Sequence, residues 1–447
     1  MRVTGVVPFA IALALAAGPV SAFDGAREGE PYGLYDWAEA SRVVMVGTVT
    51  AVGSETLQVE VGEVLRGTVE AGRIAVTPSS VSTCTGPSPV LQVGEQAVFF
   101  VKGVEEGRLT LVSPGAVLNM RFAGPDAVIG VRRILEIIAL PQREQRERAV
   151  IDLLGSKNKA LHEAAKQFIF RHVVTAPDAD RFAPQLIGKL SSPDPEVRVV
   201  AAQALLRARS AAATEALVRA TRDPNVKVVC AASCGLADRA DEEAINALLA
   251  LFNHADPEVR IRACLDTDTH VRANVIRALL RATRDAIPRV RAMAATGLVY
   301  SIRESRGAAA VPRLKEMLSD PDAEVRGRAA MTLGETWDPA LASIFLNRLG
   351  PRVLPEDEES CLITALASLH SLPEGDEIVR AALRSHVPRL AASMRQGHRA
   401  APSAALLLVV AGTPEARSVL EDVAANHPDS EVRGHAATAL QYWDTAR

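Results

Sequence analysis

The densest set of candidate ligands in this chain is one heptapeptide, Cys264-Leu265-Asp266-Thr267-Asp268-Thr269-His270. Alternating Asp266, Asp268 and His270 offer carboxylate oxygens and an imidazole nitrogen, donor types that suit a divalent metal, with the Cys264 thiol close by. The run lacks the glycine and terminal glutamate of a calcium loop. A turn in which Asp268 caps a helix starting at Val271 accounts for the same residues without metal. That turn is the expectation, and no metal or cofactor is assigned.

Five cysteines, Cys84, Cys230, Cys234, Cys264 and Cys361, leave at least one thiol unpaired by their odd number. Cys230 and Cys234 fall four apart on one helical face, near the outer limit of disulfide reach, and a bridge from either to Cys264 is geometrically easier. Small buried packing residues are the other reading. Cys84, in Ser82-Thr83-Cys84-Thr85-Gly86, reads as a loop thiol.

No H-E-x-x-H pair, G-x-S-x-G elbow, phosphate-binding glycine loop or dinucleotide fingerprint occurs. His162, His172, His386 and His398 fall on helices or helix ends, where surface or packing roles suffice. The run Glu356-Asp357-Glu358-Glu359 reads as a solvated helix start that complements the helix dipole. The expectation is a protein that is not an enzyme.

The elements around these residues divide into three regions. The first 22 residues read as a secretory signal: Arg2, an apolar core from Phe9 to Ala17, a Gly18-Pro19 break and the small-residue end Val20-Ser21-Ala22. Only seven of the 50 basic residues are lysine. That skew suggests GC-rich coding, and the expected setting is periplasmic or extracellular, in a bacterium. No stretch is long and apolar enough to span a bilayer; Ala401 to Ala411 is too short. A net charge of -3 excludes a strongly basic nucleic-acid binder.

Residues 23–118 carry β signals after a short helix-like piece at 35–40. Val43 to Val52, Leu57 to Val64, Ile74 to Thr77, Gln96 to Lys102 and Leu109 to Val112 fit short strands, with no room for crossover helices. Five or six such strands predict a small antiparallel barrel or sandwich. The order of a short helix, V-V-M-V-G-T-V-T-A-V, E-V-L-R-G and V-G-E-Q-A-V-F-F-V resembles the OB-type barrel of netrin-like and metalloproteinase-inhibitor modules. Those inhibitors chelate zinc through an N-terminal cysteine; the expected mature start here is Phe23, so that route is not implied.

From about residue 126 the period becomes 3.6, with Val128, Val131, Ile134, Leu135 and Ile138 forming one stripe. Linking helices are expected over 119–184 and a repeat array over 185–442. Asp194-Pro195-Glu196-Val197-Arg198, Asp223-Pro224-Asn225-Val226-Lys227, Asp256-Pro257-Glu258-Val259-Arg260 and Asp320-Pro321-Asp322-Ala323-Glu324-Val325-Arg326 share one grammar, with a degenerate copy at 285–291 and another ending at Arg433. Val197, Val226, Val259, Val290 and Val325 then lie 29, 33, 31 and 35 residues apart. Asp suits the cap and Pro the first helical position. Alanines let helices approach closely. A two-helix unit cannot bury both faces alone, so stacking into a solenoid follows. Only 12 residues separate Val259 from Val271, which predicts a helix ending near Leu265 and a local kink.

These motifs resemble HEAT repeats of the short, phycobilisome-lyase type. The resemblance implies an inter-repeat ladder in which Asp194, Asp223, Asp256 and Asp320 work with Arg198, Lys227, Arg260 and Arg326. It implies a scaffold rather than a lyase. The fold class expected is therefore a small all-β barrel followed by an all-α solenoid. The function expected is an exported, non-enzymatic adaptor that binds another protein, with Arg277 and Arg281 among the arginines that could meet an acidic partner. Two alternatives remain: a β module that inhibits or docks on a secreted hydrolase, and a lyase-like or metal-dependent enzyme.

Overall fold

The computed structural model describes residues 34–52, 57–69, 72–77, 91–105, 108–112, 117–119, 126–304, 308–350, 354–370, 380, 383–397 and 399–445. The export signal expected at 1–22, residues 23–33, Cys84 and His398 lie outside the described residues. The chain divides into two compact units, Met1–Ala208 and Arg209–Arg447.

In the first unit, helix α1 (Leu34–Ala40) precedes strands β1 (Val43–Val52), β2 (Leu57–Arg66), β3 (Arg73–Thr77), β4 (Gln96–Glu105), β5 (Arg108–Leu111) and β6 (Val117–Asn119). The order β1-β2-β3-β5-β4 closes through a β1–β4 pairing, and β6 adds to β4. Most pairs are antiparallel, but β3 and β5 run parallel through Val76–Leu109. This closed five-strand ring is the OB-type path. Val44, Met45 and Val49 on β1, Val59 on β2, and Ala97 to Val101 on β4 are all buried. β4 is buried on both faces there, in part because Trp37 of α1 lies against Phe100 at 5.8 Å between ring centroids.

Helices α2 (Ala127–Ile138), α3 (Arg143–Asp152), α4 (Lys159–Phe168), α5 (Ala183–Lys189) and α6 (Pro195–Ala204) complete this unit. On α2 the buried stripe is Ala127, Gly130, Val131, Ile134 and Ile137, rotated from the expected one: Val128, Leu135 and Ile138 are only half-buried. Helix α1 joins barrel to helices. Arg66 donates to the Ala38 carbonyl at 2.8 Å, Tyr35 meets Phe168 edge-on at 5.0 Å, and His172 pairs with Asp36 at 2.8 Å.

The second unit contains α7 (Ala211–Ala220), α8 (Val226–Leu236), α9 (Glu242–Leu251), α10 (Pro257–Asp266), α11 (Ala273–Ala282), α12 (Pro288–Gly297), α13 (Val299–Arg303), α14 (Val311–Met317), α15 (Ala323–Gly334), α16 (Ala342–Leu349), α17 (Glu356–His370), α18 (Val387–Arg395), α19 (Ala401–Ala411), α20 (Pro414–Asn426) and α21 (Ser430–Thr445). One layer stacks α8, α10, α12, α15, α17, α19 and α21 in sequence. Small residues make that stacking close: Ala263, Ala292, Ala294, Ala295, Ala329 and Ala330 are all buried. A Cβ on Gly334 would come within 3.0 Å of the Ala365 Cα.

The structure corrects the repeat register. Asn225, not Asp223, caps α8, accepting from the Lys227 amide at 3.0 Å. The core valine of that unit is therefore Val228, fully buried, rather than Val226. Val197, Val228, Val259 and Val290 now recur every 31 residues, with 35 to Val325. α10 ends at Asp266, close to the expected Leu265, but the next helix starts at Ala273 rather than Val271, with Arg272 as its N-cap and no side-chain cap. Asp268 therefore does not cap it.

Candidate functional site: inter-repeat rungs and an exposed arginine face

Each repeat arginine sits four residues past its helix cap, which places its guanidinium over the loop just before the helix. Arg260 donates through Nη1 to the His254 and Ala255 carbonyls, at 2.8 and 3.0 Å. Its other nitrogens grip Asp285 of the next unit at 2.8 and 2.9 Å. Arg291 repeats this geometry, bonding the Asp285 and Ala286 carbonyls and gripping Asp320 at 2.9 and 2.7 Å. Arg326 bonds the Asp320 and Pro321 carbonyls and grips Glu358. Forked pairs of this kind fix relative position as well as adding energy.

The receiving carboxylate does two jobs. Asp285 and Asp320 stand two residues before a cap and also accept the cap residue's amide, Ile287 at 2.9 Å and Asp322 at 3.0 Å. Burial pushes the Asp285 carboxyl up, but the Arg260 hydrogen bonds, the Ile287 amide and the nearby charges of Arg260 and Arg291 together hold it below its ordinary value. Asp320 is held low in the same way by Arg291.

The expected ladder residues are thus distributed differently. Asp194 and Asp256 cap their own helices, accepting from Glu196 and Glu258 amides at 2.9 and 2.8 Å. Asp223 accepts from the Asn225 amide at 2.8 Å, the position of Asp285 and Asp320. Arg198 donates to the Ser192 and Pro193 carbonyls. Lys227 is exposed on the first turn of α8; the place of the rung arginine there is held by buried Val229. In the loop that Val229 would address, His254 replaces the carboxylate and accepts the Asp256 amide through Nδ1 at 3.1 Å. Both charged partners change together, so neither a cation nor an anion is left stranded.

Glu358 and Glu359 overturn the reading of a solvated helix start. Glu358 is fully buried and also receives Arg348 at 2.8 Å, while Glu359 holds Arg389 at 3.0 and 2.8 Å. Their partners lie 10 to 32 residues away in sequence, beyond any local pattern.

The metal candidates point to other partners. Asp266 accepts from Ser233 Oγ at 2.6 Å and pairs with Arg262 at 2.6 Å; His270 Nε2 lies 2.6 Å from the Ala237 carbonyl. Among the described residues no three His, Cys, Asp or Glu side chains converge as ligands. Cys230, Cys234, Cys264 and Cys361 are free thiols. Burial pushes the Cys230 thiol up to about 11.

Burial also raises the Asp268 carboxyl to about 6, with the Asp266 and Asp238 charges adding to it against the Thr269 amide and Arg262. A carboxyl raised on folding contributes stability below the unfolded value near 4 and loses it as pH climbs through about 6. Asp268→Asn should therefore flatten the stability profile between pH 4 and 7 and melt higher than the parent at pH 7, by about 1–2 kcal/mol after allowance for partial exposure. Thermal melts across that range check it.

Arg277 and Arg281 lie one turn apart on α11, exposed, and form no ion pair among the described residues. Arg284 is exposed just beyond the helix end. From Arg260 to Arg313 the sequence holds eleven arginines against four carboxylates.

A family model of HEAT repeats matches residues 183–266 and 276–352. These two stretches are HEAT repeats. No curated protein matches the chain. Among solved structures, Kap121p superposes with a TM-score of 0.54 at 12% identity over 72% of this chain and 40% of that one. The CpcE and CpcF complex of phycocyanin lyase from Nostoc sp. PCC7120 covers 59% of this chain and 94% of its own at 17% identity, with a TM-score of 0.34. Human deoxyhypusine hydroxylase covers 60% of this chain and 97% of its own at 18% identity, with a TM-score of 0.27. At these identities the likeness concerns the fold, and of these three Kap121p is the one similar enough to support it. Among the described residues no helix is long and apolar enough to cross a membrane.

Proposed function

We propose that this chain is an exported, non-enzymatic scaffold whose HEAT repeats bind another protein in the periplasm or outside the cell. The observation that carries the reading is the division of labour among its arginines. Arg260, Arg291 and Arg326 are spent on rungs inside the array. Arg277, Arg281 and Arg284 are left facing solvent on the neighbouring layer, on a framework that the rungs hold in register. Such a face suits an acidic partner, because the cations need not give up an internal ion pair to meet it. The apolar N-terminal stretch with its small-residue end supports the export part.

Crosslinking in an envelope fraction tests this. The wild-type chain should trap one discrete acidic protein, and the double charge reversal Arg277→Glu/Arg281→Glu should lower its yield at least tenfold, with weaker capture at raised salt. Capture that survives reversal of Arg277, Arg281 and Arg284 together would remove this face from the account.

A further inference from the structure

Helices α11 and α14 show what the groove between successive outer helices can hold. Thr283, the C-cap of α11, turns its hydroxyl back to the Leu280 carbonyl at 2.7 Å. Arg313 of α14 then lies across that end: Nε donates to Thr283 Oγ1 at 3.1 Å, Nη2 to the Thr283 carbonyl at 2.8 Å, and Nη1 to Glu316 at 2.9 Å. The guanidinium closes the groove, and Thr283 is completely buried.

The same helix end is built again at α7. Thr221 is its C-cap, its hydroxyl bonds the Val218 carbonyl at 2.7 Å, and its amide bonds the Leu217 carbonyl at 3.0 Å, against 2.9 Å for the Thr283 amide to Leu279. The following turn repeats as well, with the Arg222 and Asp223 amides on the Arg219 and Ala220 carbonyls, as Arg284 and Asp285 bond Arg281 and Ala282. The guanidinium is missing. Arg313 lies seven residues before Asp320, and the residue seven before His254 on α9 is Ala247. In its place is a groove of about 490 Å³, lined by Val218, Thr221, Glu243, Ala247, Leu251 and His254 among others, and Thr221 is left 8% exposed.

We propose that the groove between α7 and α9 binds an arginine side chain presented by another protein. The Thr221 hydroxyl and carbonyl accept the guanidinium as their counterparts accept Arg313, while Val218, Ala247 and Leu251 cover its methylene stem. Glu243 on one wall supplies the carboxylate that Glu316 supplies to Arg313, and with Asp223 it gives the lining two carboxylates against the single cation Arg222. Planar, multidentate acceptance favours arginine over lysine. The proposal shares the protein-binding reading but uses a different surface and an oppositely charged partner group, so its failure leaves the crosslinking test at Arg277 and Arg281 standing.

The test uses the full chain and a small probe. Saturation-transfer NMR with Nα-acetyl-arginine N-methylamide should show saturable binding at one site, with the uncharged citrulline analogue at least tenfold weaker. Thr221→Val, which removes one acceptor, should weaken arginine binding about tenfold. Ala247→Arg, which supplies the guanidinium from within, should abolish it while leaving the helical circular dichroism of the parent. No saturation transfer, equal transfer to citrulline, or binding untouched by Thr221→Val would each overturn the proposal.

Discussion

Replacing Glu358 by alanine is expected to destabilise the second unit by about 3–5 kcal/mol, the cost of leaving partly buried charges without their partner. Glu358 has no exposed side-chain surface, whereas Arg326 and Arg348, which both bond it, retain 14% and 30% of theirs. Removing the carboxylate strands two guanidinium groups. Glu358→Gln keeps the shape and an acceptor oxygen but not the charge, so it should fall between alanine and the parent in urea unfolding. Burial pushes this carboxyl up, yet the Arg326 and Arg348 hydrogen bonds and charges overcome burial and hold it below its ordinary value. The parent's extra stability is therefore present above pH 4–5 and lost as pH falls through the lowered value, while the alanine variant lacks that acid-side slope. By contrast, breaking the exposed Arg417–Glu421 pair should leave the urea midpoint nearly unchanged.

Gly297→Ala should be the other severe change, at about 3 kcal/mol. Gly297 closes α12 where it crosses α10, and a Cβ there would lie 2.6 Å from the Cys264 carbonyl oxygen and 2.7 Å from Leu279 Cδ2. The leucine methyl can swing aside. The carbonyl cannot, because it belongs to the backbone of the neighbouring helix, so the two helices must separate. Gly434→Ala is the matched control: it sits in α21 with nothing within 4 Å of the added methyl, and helix propensity alone should make it neutral or stabilising by up to about 1 kcal/mol. Paired thermal melts decide both.

The sequence made the elements legible because their periods differ. Alternation in Val43 to Val52 and Leu57 to Arg66 marks strands, and the Asp-Pro starts mark helices. What it concealed was register. In Asp194-Pro195 and Asp256-Pro257 the aspartate is the cap and proline opens the helix, but in Asp223-Pro224 and Asp320-Pro321 the aspartate stands two residues earlier and the cap is Asn225 or Asp322. The local spelling is nearly the same. What separates the two forms is the partner across the repeat: Asp320 receives Arg291 from 29 residues upstream. Glu358 was hidden for the same reason, since four acids at a helix start look solvated until Arg326 and Arg348 are placed beside Glu358, and Arg389 beside Glu359. The proposed binding surfaces depend still more on placement, because an open groove at Thr221 becomes meaningful only beside the filled one at Thr283.

The central claim is that the repeats form an array in which each helix pair is held by its neighbours through the rungs, which keeps the proposed binding faces in register. Native-state hydrogen exchange on Glu358→Ala tests it most directly. The account predicts that amide protection falls most in α15, α16 and α17, declines outward from them, and stays near parental values in α7 to α9. An equal loss of protection in every helix of the second unit would show one undivided core and contradict it.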